Sequence, residues 1–250
     1  GRLIGLVFFV PFAYFLIRRR LNSDITTRLI GIFALGGLQG AMGWYMVASG
    51  LVDDPNVSQY RLTAHLGIAF LIFGAITWTT LSILYPSRAN LSPPVRNMYK
   101  FSMIVNGVIF LMVLSGGFVA GLRAGLIYNT FPLMGDNFIP PDLFVLTPLW
   151  SNFFENMITV QFDHRIIAYI LALLIPIFWF RLRRREVLSR TKKLSSLLLG
   201  LLVIQMTLGV STLMLHVPTA LGVAHQAVGS LLFITSLAVT QSIASRRGMI

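Results

Sequence analysis

The sequence predicts an all-α integral membrane protein, a helical bundle, and three observations lead there. Of its 250 residues 56% are hydrophobic and only 11% charged, where a soluble domain carries about 25% charged residues. The apolar residues fall in long blocks, each near the roughly 20 residues that cross a bilayer as a helix. The blocks show no alternation of apolar and polar positions, which excludes a closed barrel, the other fold that satisfies its backbone in lipid.

Taken in order, seven spans are predicted over 1–17, 29–50, 62–84, 101–122, 157–180, 195–215 and 220–241. Between them, Arg18, Arg19, Arg20 and Arg28, then Arg88, Arg96 and Lys100, then Arg181, Arg183, Arg184, Arg185, Arg190, Lys192 and Lys193, and finally Arg246 and Arg247 all fall in alternate connections. Asp53, Asp54, Asp136, Asp142 and Glu155 occupy the others. This asymmetry is the positive-inside pattern. It turns the net charge of +12 into a statement about orientation and anionic lipid, and no nucleic-acid partner is expected. The chain holds no cysteine, which excludes disulfides, thiolate ligands and thiol chemistry. It opens inside an apolar stretch without an initiator Met, and is read as a fragment lacking one N-terminal span; that span would bring the total to eight.

The outer connection 123–156 is the long one. Pro132, Gly135, Pro140, Pro141 and Pro148 forbid a continuous helix, while Phe131, Phe138, Phe144, Trp150 and Phe153 are too apolar for a disordered linker. It is expected to fold as a cap on the outer end of the bundle.

An internal repeat organises the rest. Leu38-Gln39 with Gly43 resembles Ile204-Gln205 with Gly209, and the next span in each half carries a histidine near its outer end, His65 and His225. Pro11 followed by Arg18-Arg19-Arg20 parallels Pro176 followed by Arg183-Arg184-Arg185, a span that opens with His164-Arg165. The expected architecture is two pseudo-symmetric four-helix halves, divided as 1–122 for the N-terminal half-bundle, 123–156 for the outer cap and 157–250 for the C-terminal half-bundle.

Ionisable groups within spans are costly and usually functional. A lone histidine near a helix end is more often an interfacial polar residue than a ligand. Three at equivalent repeat positions, all at one membrane face, shift the balance. Two histidines on facing helices of a bundle can ligate heme iron from both sides. Gly222 and Gly229 flank His225 on its own helix face, as Ala69 does for His65, leaving room for a flat macrocycle. Arg165, Arg61 and Arg2 stand at the wet rim, where heme carboxylates favour arginine. Zinc fits less well, because the only acidic residue beside these histidines is Asp163, read as an orienting partner of His164. Gln39, Asn106, Gln161 and Gln205 are read as helix-to-helix hydrogen bonds, and His216 as a structural residue of a short hairpin. Spacing thus reaches a transmembrane heme protein with two similar sites, and leaves the reaction open.

The run Ala120-Gly121-Leu122-Arg123-Ala124-Gly125-Leu126-Ile127-Tyr128-Asn129-Thr130-Phe131-Pro132-Leu133-Met134 resembles the loop entry of heme A synthases. Asn152-Phe153-Phe154-Glu155-Asn156 followed by Val160-Gln161-Phe162-Asp163-His164-Arg165 does so too, as do Tyr60-Arg61-Leu62-Thr63-Ala64-His65-Leu66 and Ala224-His225-Gln226-Ala227-Val228-Gly229. The likeness covers essentially the whole chain and, lacking cysteine, matches the proteobacterial and mitochondrial branch. It implies eight spans in two halves and a reaction that oxidises the C8 methyl of heme O to a formyl group by successive hydroxylations, giving heme A for cytochrome oxidase. It implies heme b as cofactor, held through His164 and His225 with Arg165 beside it. His65 then ligates the heme O substrate in the N-terminal half and is the catalytic-site residue. The family's fourth histidine and a glutamate would lie just upstream of Gly1, so the chain as it stands is expected to ligate heme in its C-terminal half without making heme A. The implied setting is a bilayer, the bacterial inner membrane or its mitochondrial counterpart. The resemblance leaves room for heme O synthase and cytochrome oxidase assembly factors as partners and for a homo-oligomer, and it names no electron acceptor. Two rivals stand beside it. A bis-histidine diheme electron-transfer cytochrome would share the histidines but not the Pro-rich cap. A transporter with parallel repeats would need a broken helix or a mid-membrane acidic residue, and neither is present.

Overall fold

The protein was analysed as a computed structural model that describes residues 2–50, 57–87 and 90–245, with the side chains of Arg2, Ser49 and Gly50 outside the description. Asp53, Asp54, Arg88, Arg246 and Arg247, and any part Arg2 plays at the rim, therefore lie outside the described residues.

Every long apolar block is a helix. They are α1 (Arg2–Ile17), α2 (Ser23–Gly50), α3 (Gln59–Leu84), α4 (Pro93–Gly121), a single turn α5 (Asn152–Glu155), α6 (Met157–Arg183), α7 (Ser189–Met214) and α8 (Thr219–Ala244). No strand occurs among the described residues. Six of these helices are long and apolar enough to cross a bilayer. The first predicted span, 1–17, is the apolar helix α1, described over 16 residues.

The helices outrun the predicted spans at their basic ends. α2 begins at Ser23 rather than 29, α4 at Pro93 rather than 101, and α7 at Ser189 rather than 195. Arg28, Arg96, Lys100, Arg190, Lys192 and Lys193, read as loop residues, are helical. Charge ends the apolar run, but Arg and Lys are good helix formers whose long stems reach back to water from inside a helix.

α4 packs against α3, α6 and α8, and α7 and α8 form an antiparallel pair. The dry core, with Val105, Ile109, Leu171, Ile175, Phe178, Leu182, Leu198, Leu202, Val239 and Ile243, fills the inner half of the bundle. A buried polar seam runs beside it. Asn106 donates to Thr240 at 2.9 Å and accepts from Ser236, and Thr191 pairs with Ser242 at 2.7 Å. Each pairing satisfies groups that would be expensive to leave unmade in an apolar interior.

The outer half is built differently, with glycine where the inner half has large side chains. A Cβ on Gly117 would lie 2.8 Å from the Thr63 hydroxyl, and one on Gly121 would lie 2.6 Å from Gln59 Cα. That small-xxx-small stripe lets α3 and α4 approach closely, as membrane helices commonly do.

The connection 123–156, expected to be an outer cap, is held together by its own hydrogen bonds. Short 3-10 turns at Ala124–Leu126 and Leu149–Ser151 alternate with loops. Asn152, fully buried, donates to the carbonyls of Leu146 and Leu149 and accepts from the Leu146 amide. Asn156 accepts from the Ile158 and Thr159 amides at the start of α6, satisfying orphan helix donors, and its amide nitrogen donates to the carbonyls of Asp142 and Leu143. The cap is tied to the bundle by Tyr60, which donates to Glu155 at 2.8 Å, and by Asn129, which donates to Leu213 O at 2.7 Å.

Candidate heme site at the outer end of the bundle

His65 lies two turns into α3, His164 two turns into α6 and His225 two turns into α8. All three helices run from the outer face inward, so the imidazoles share one depth, and all three are half-buried.

Each histidine rests on a glycine of a neighbouring helix. A Cβ on Gly43 would stand 3.2 Å from His65 Cε1, and one on Gly209 would stand 2.9 Å from His225 Cε1. The same Cβ on Gly116 of α4 would stand 3.4 Å from His164 Cε1. One helical turn before the first two glycines, on the same face, stand Gln39 and Gln205. Gln39 Nε2 lies 3.2 Å from His65 Nε2, and Gln205 Nε2 lies 3.3 Å from His225 Nε2. The Gln-x-x-x-Gly repeat seen in the sequence is therefore one histidine cradle used twice. Gln39 and Gln205 make the helix-to-helix hydrogen bonds expected of them, and the partner in each case is a histidine. Gly229, expected to leave room beside His225, instead admits Gln205, whose Nε2 would be 3.2 Å from a Cβ there; Gly222 does face open space.

His164 is held by another device. Its Nδ1 lies 2.8 Å from Ser115 Oγ of α4. Ser115, not Asp163, is thus the hydrogen-bond partner of His164, because adjacent residues on a helix point in different directions. Nothing in the sequence marked Ser115, since α4 carries no histidine.

Arg165 is buried, and its guanidinium turns outward into the cap. Nη1 donates to Thr130 O at 3.0 Å and Leu133 O at 3.1 Å, and Nη2 donates to Tyr128 O at 3.0 Å. Gln161 donates to the same Tyr128 carbonyl at 3.1 Å. Arg61 stacks over the Tyr45 ring at 4.8 Å. His216 and Val217 form the tight α7–α8 turn, both with positive φ, as expected of a structural hairpin.

The arrangement suits a planar metal-bearing macrocycle better than a bare ion. Among the described residues no group of three or more His, Asp or Glu side chains converges as a metal-ion site. Instead, His65 Nδ1 and His225 Nδ1 are buried without a hydrogen-bond partner among those residues, as are Gln39 Oε1 and Gln205 Oε1. Buried polar atoms of that kind call for an explanation. Imidazoles seated against glycines of neighbouring helices, with open space at Gly222, fit a heme.

A helical membrane protein with six candidate spans among its described residues, and histidines near one end of the bundle, belongs to the histidine-bearing bundle proteins. Family comparison narrows this further: residues 1–237 match the model of the COX15-CtaA family, described as cytochrome oxidase assembly protein, and the chain belongs to that family. It is 54% identical over 244 residues to the heme A synthase of Nitrosospira multiformis, covering 97% of this chain and 68% of that protein. It is 51% identical over 245 residues to the heme A synthase of Nitrosomonas eutropha, covering 97% and 69%. With the human heme A synthase COX15 it shares 44% over 242 residues, covering 94% of this chain and 59% of that one.

Proposed function

We propose that this protein acts as a heme A synthase, an oxidoreductase that converts the C8 methyl of heme O to a formyl group for cytochrome oxidase. The observation that carries the reading is the repeated histidine cradle, Gln39–Gly43–His65 and Gln205–Gly209–His225, inside a chain of this family.

In this reading His164 and His225 hold heme b in the C-terminal half, and His65 receives heme O in the N-terminal half. α4 belongs with the C-terminal unit for this purpose, since Ser115 and Gly116 both touch His164; the division drawn at 122 is moved ahead of α4. Each of two hydroxylations removes two electrons and two protons and adds one oxygen from water, and loss of water from the resulting diol leaves the formyl group. Heme, when bound, would supply the redox chemistry. The protein supplies position. The glycines admit the imidazoles to one depth, and the amides of Gln39 and Gln205 stand at Nε2 of their histidines. The cap, clamped by Arg165, covers the outer end and limits water. Arg165 serves in this account through the cap it holds. The setting is a bacterial inner membrane or its mitochondrial counterpart, with the basic helix ends inside.

The test is extraction of hemes from membranes that contain the full-length protein together with a heme O source, followed by chromatography and mass spectrometry. A heme A peak that disappears in His65→Leu is the expected result. Heme b with unchanged heme O would sink the synthase reading and favour a diheme electron-transfer cytochrome.

A further inference from the structure

We propose that Ser115 is a positioning residue that fixes the tautomer of His164, keeping the proton on Nδ1 and presenting the Nε2 lone pair to a metal; this rests on His164 being a heme ligand.

A serine hydroxyl has one proton and can accept as well. Ser115 Oγ lies 2.9 Å from Met112 O, one turn back on α4, and a carbonyl oxygen only accepts. In the proposed arrangement the hydroxyl proton goes to that carbonyl, and Oγ faces His164 Nδ1 at 2.8 Å as an acceptor. Nδ1 must then carry the hydrogen, and in a neutral imidazole the other nitrogen, Nε2, is left as the acceptor. The opposite assignment places the proton on Nε2 and closes that nitrogen to iron. Ser115 is one residue before Gly116, which also lies beside the His164 ring. The same turn of α4 therefore borders the ring and orients its proton.

The other two histidines lack this device. His65 Nδ1 and His225 Nδ1 have no hydrogen-bond partner among the described residues, and their contacts with Gln39 and Gln205 are at Nε2. A hydrogen bond accepted from Nδ1–H makes an imidazole a stronger donor to iron, so the two ligands of one heme would be unequal, with His164 the more basic.

Three measurements on the heme-loaded protein test this. His164→Leu should abolish the low-spin heme spectrum of the C-terminal site; if that spectrum persists, His164 is not a ligand, and the underlying reading fails instead. Given that loss, Ser115→Ala should keep the heme but raise its reduction potential, because a weaker donor favours ferrous iron. Ser115→Thr, whose hydroxyl can also bond the carbonyl one turn back, should return the potential toward wild type. An Ala variant with unchanged potential would overturn the proposal. If Ser115→Ala takes up no heme, the wild type decides alone. In its reduced, diamagnetic form the Nδ1–H resonance of His164 should be protected from solvent exchange, and rapid exchange would refute the bond.

Discussion

At the scale of single residues, the contacts that matter are hydrogen atoms standing where a methyl group cannot. Gly209 leaves the least room: an added Cβ would sit 2.9 Å from the His225 ring, against 3.2 Å at Gly43 and 3.4 Å at Gly116. Overpacking of this kind costs about 1–3 kcal/mol when neighbours must shift. Gly209→Ala is therefore expected to displace the His225 imidazole and lower the heme-to-protein ratio of the purified protein, whereas Gly116→Ala should be nearly silent. Equal effects at the two positions would argue against the cradle. The histidines themselves were legible in the sequence because the repeat brought three of them to one depth. The glutamines were legible only in part: the repeat aligned Gln39 with Gln205, but intramembrane amides bond so often to other helices that their histidine partners did not stand out. Ser115 gave no signal at all, since hydroxyls in membrane helices usually satisfy their own backbone, and the proton count needs coordinates.

At the scale of elements, helix existence was plain from apolar length and helix ends were not. α2, α4 and α7 each start six to eight residues before the apolar run does, because hydropathy registers the bilayer and helicity continues past it. The cap was legible as ordered from its aromatic content, but its fastening was hidden in two residues with other apparent uses. Arg165 looked like a partner for heme carboxylates, and its guanidinium instead gathers three carbonyls of the cap. That geometry needs the planar fork of arginine, which lysine lacks. Arg165→Lys should thus loosen the segment 128–134 and expose it to limited proteolysis from the outer side. A direct carboxylate contact to heme would instead survive much of that change, since the charge remains. If heme content falls while the cap stays protease-resistant, the clamp is not the residue's main part.

At the scale of the whole molecule, orientation follows from charge and can be read directly, because the chain has no cysteine to confuse labelling. A single cysteine at Asp142 should react with a membrane-impermeant maleimide added to the outer side of spheroplasts. One at Glu186 should react only after the membrane is opened, and the reverse pattern would invert the topology. The long helices carry a further consequence. α4 has 29 residues, about 43 Å of helix at 1.5 Å per residue, against a hydrocarbon layer of about 30 Å. The surplus lies at the inner ends, where arginine and lysine stems can slide along the interface without leaving water. Such a molecule tolerates hydrophobic mismatch: a thicker or thinner bilayer changes how far the basic ends protrude, and the outer end, with its histidines and cap, keeps its depth. A bundle built this way needs no redesign to sit in membranes of different thickness.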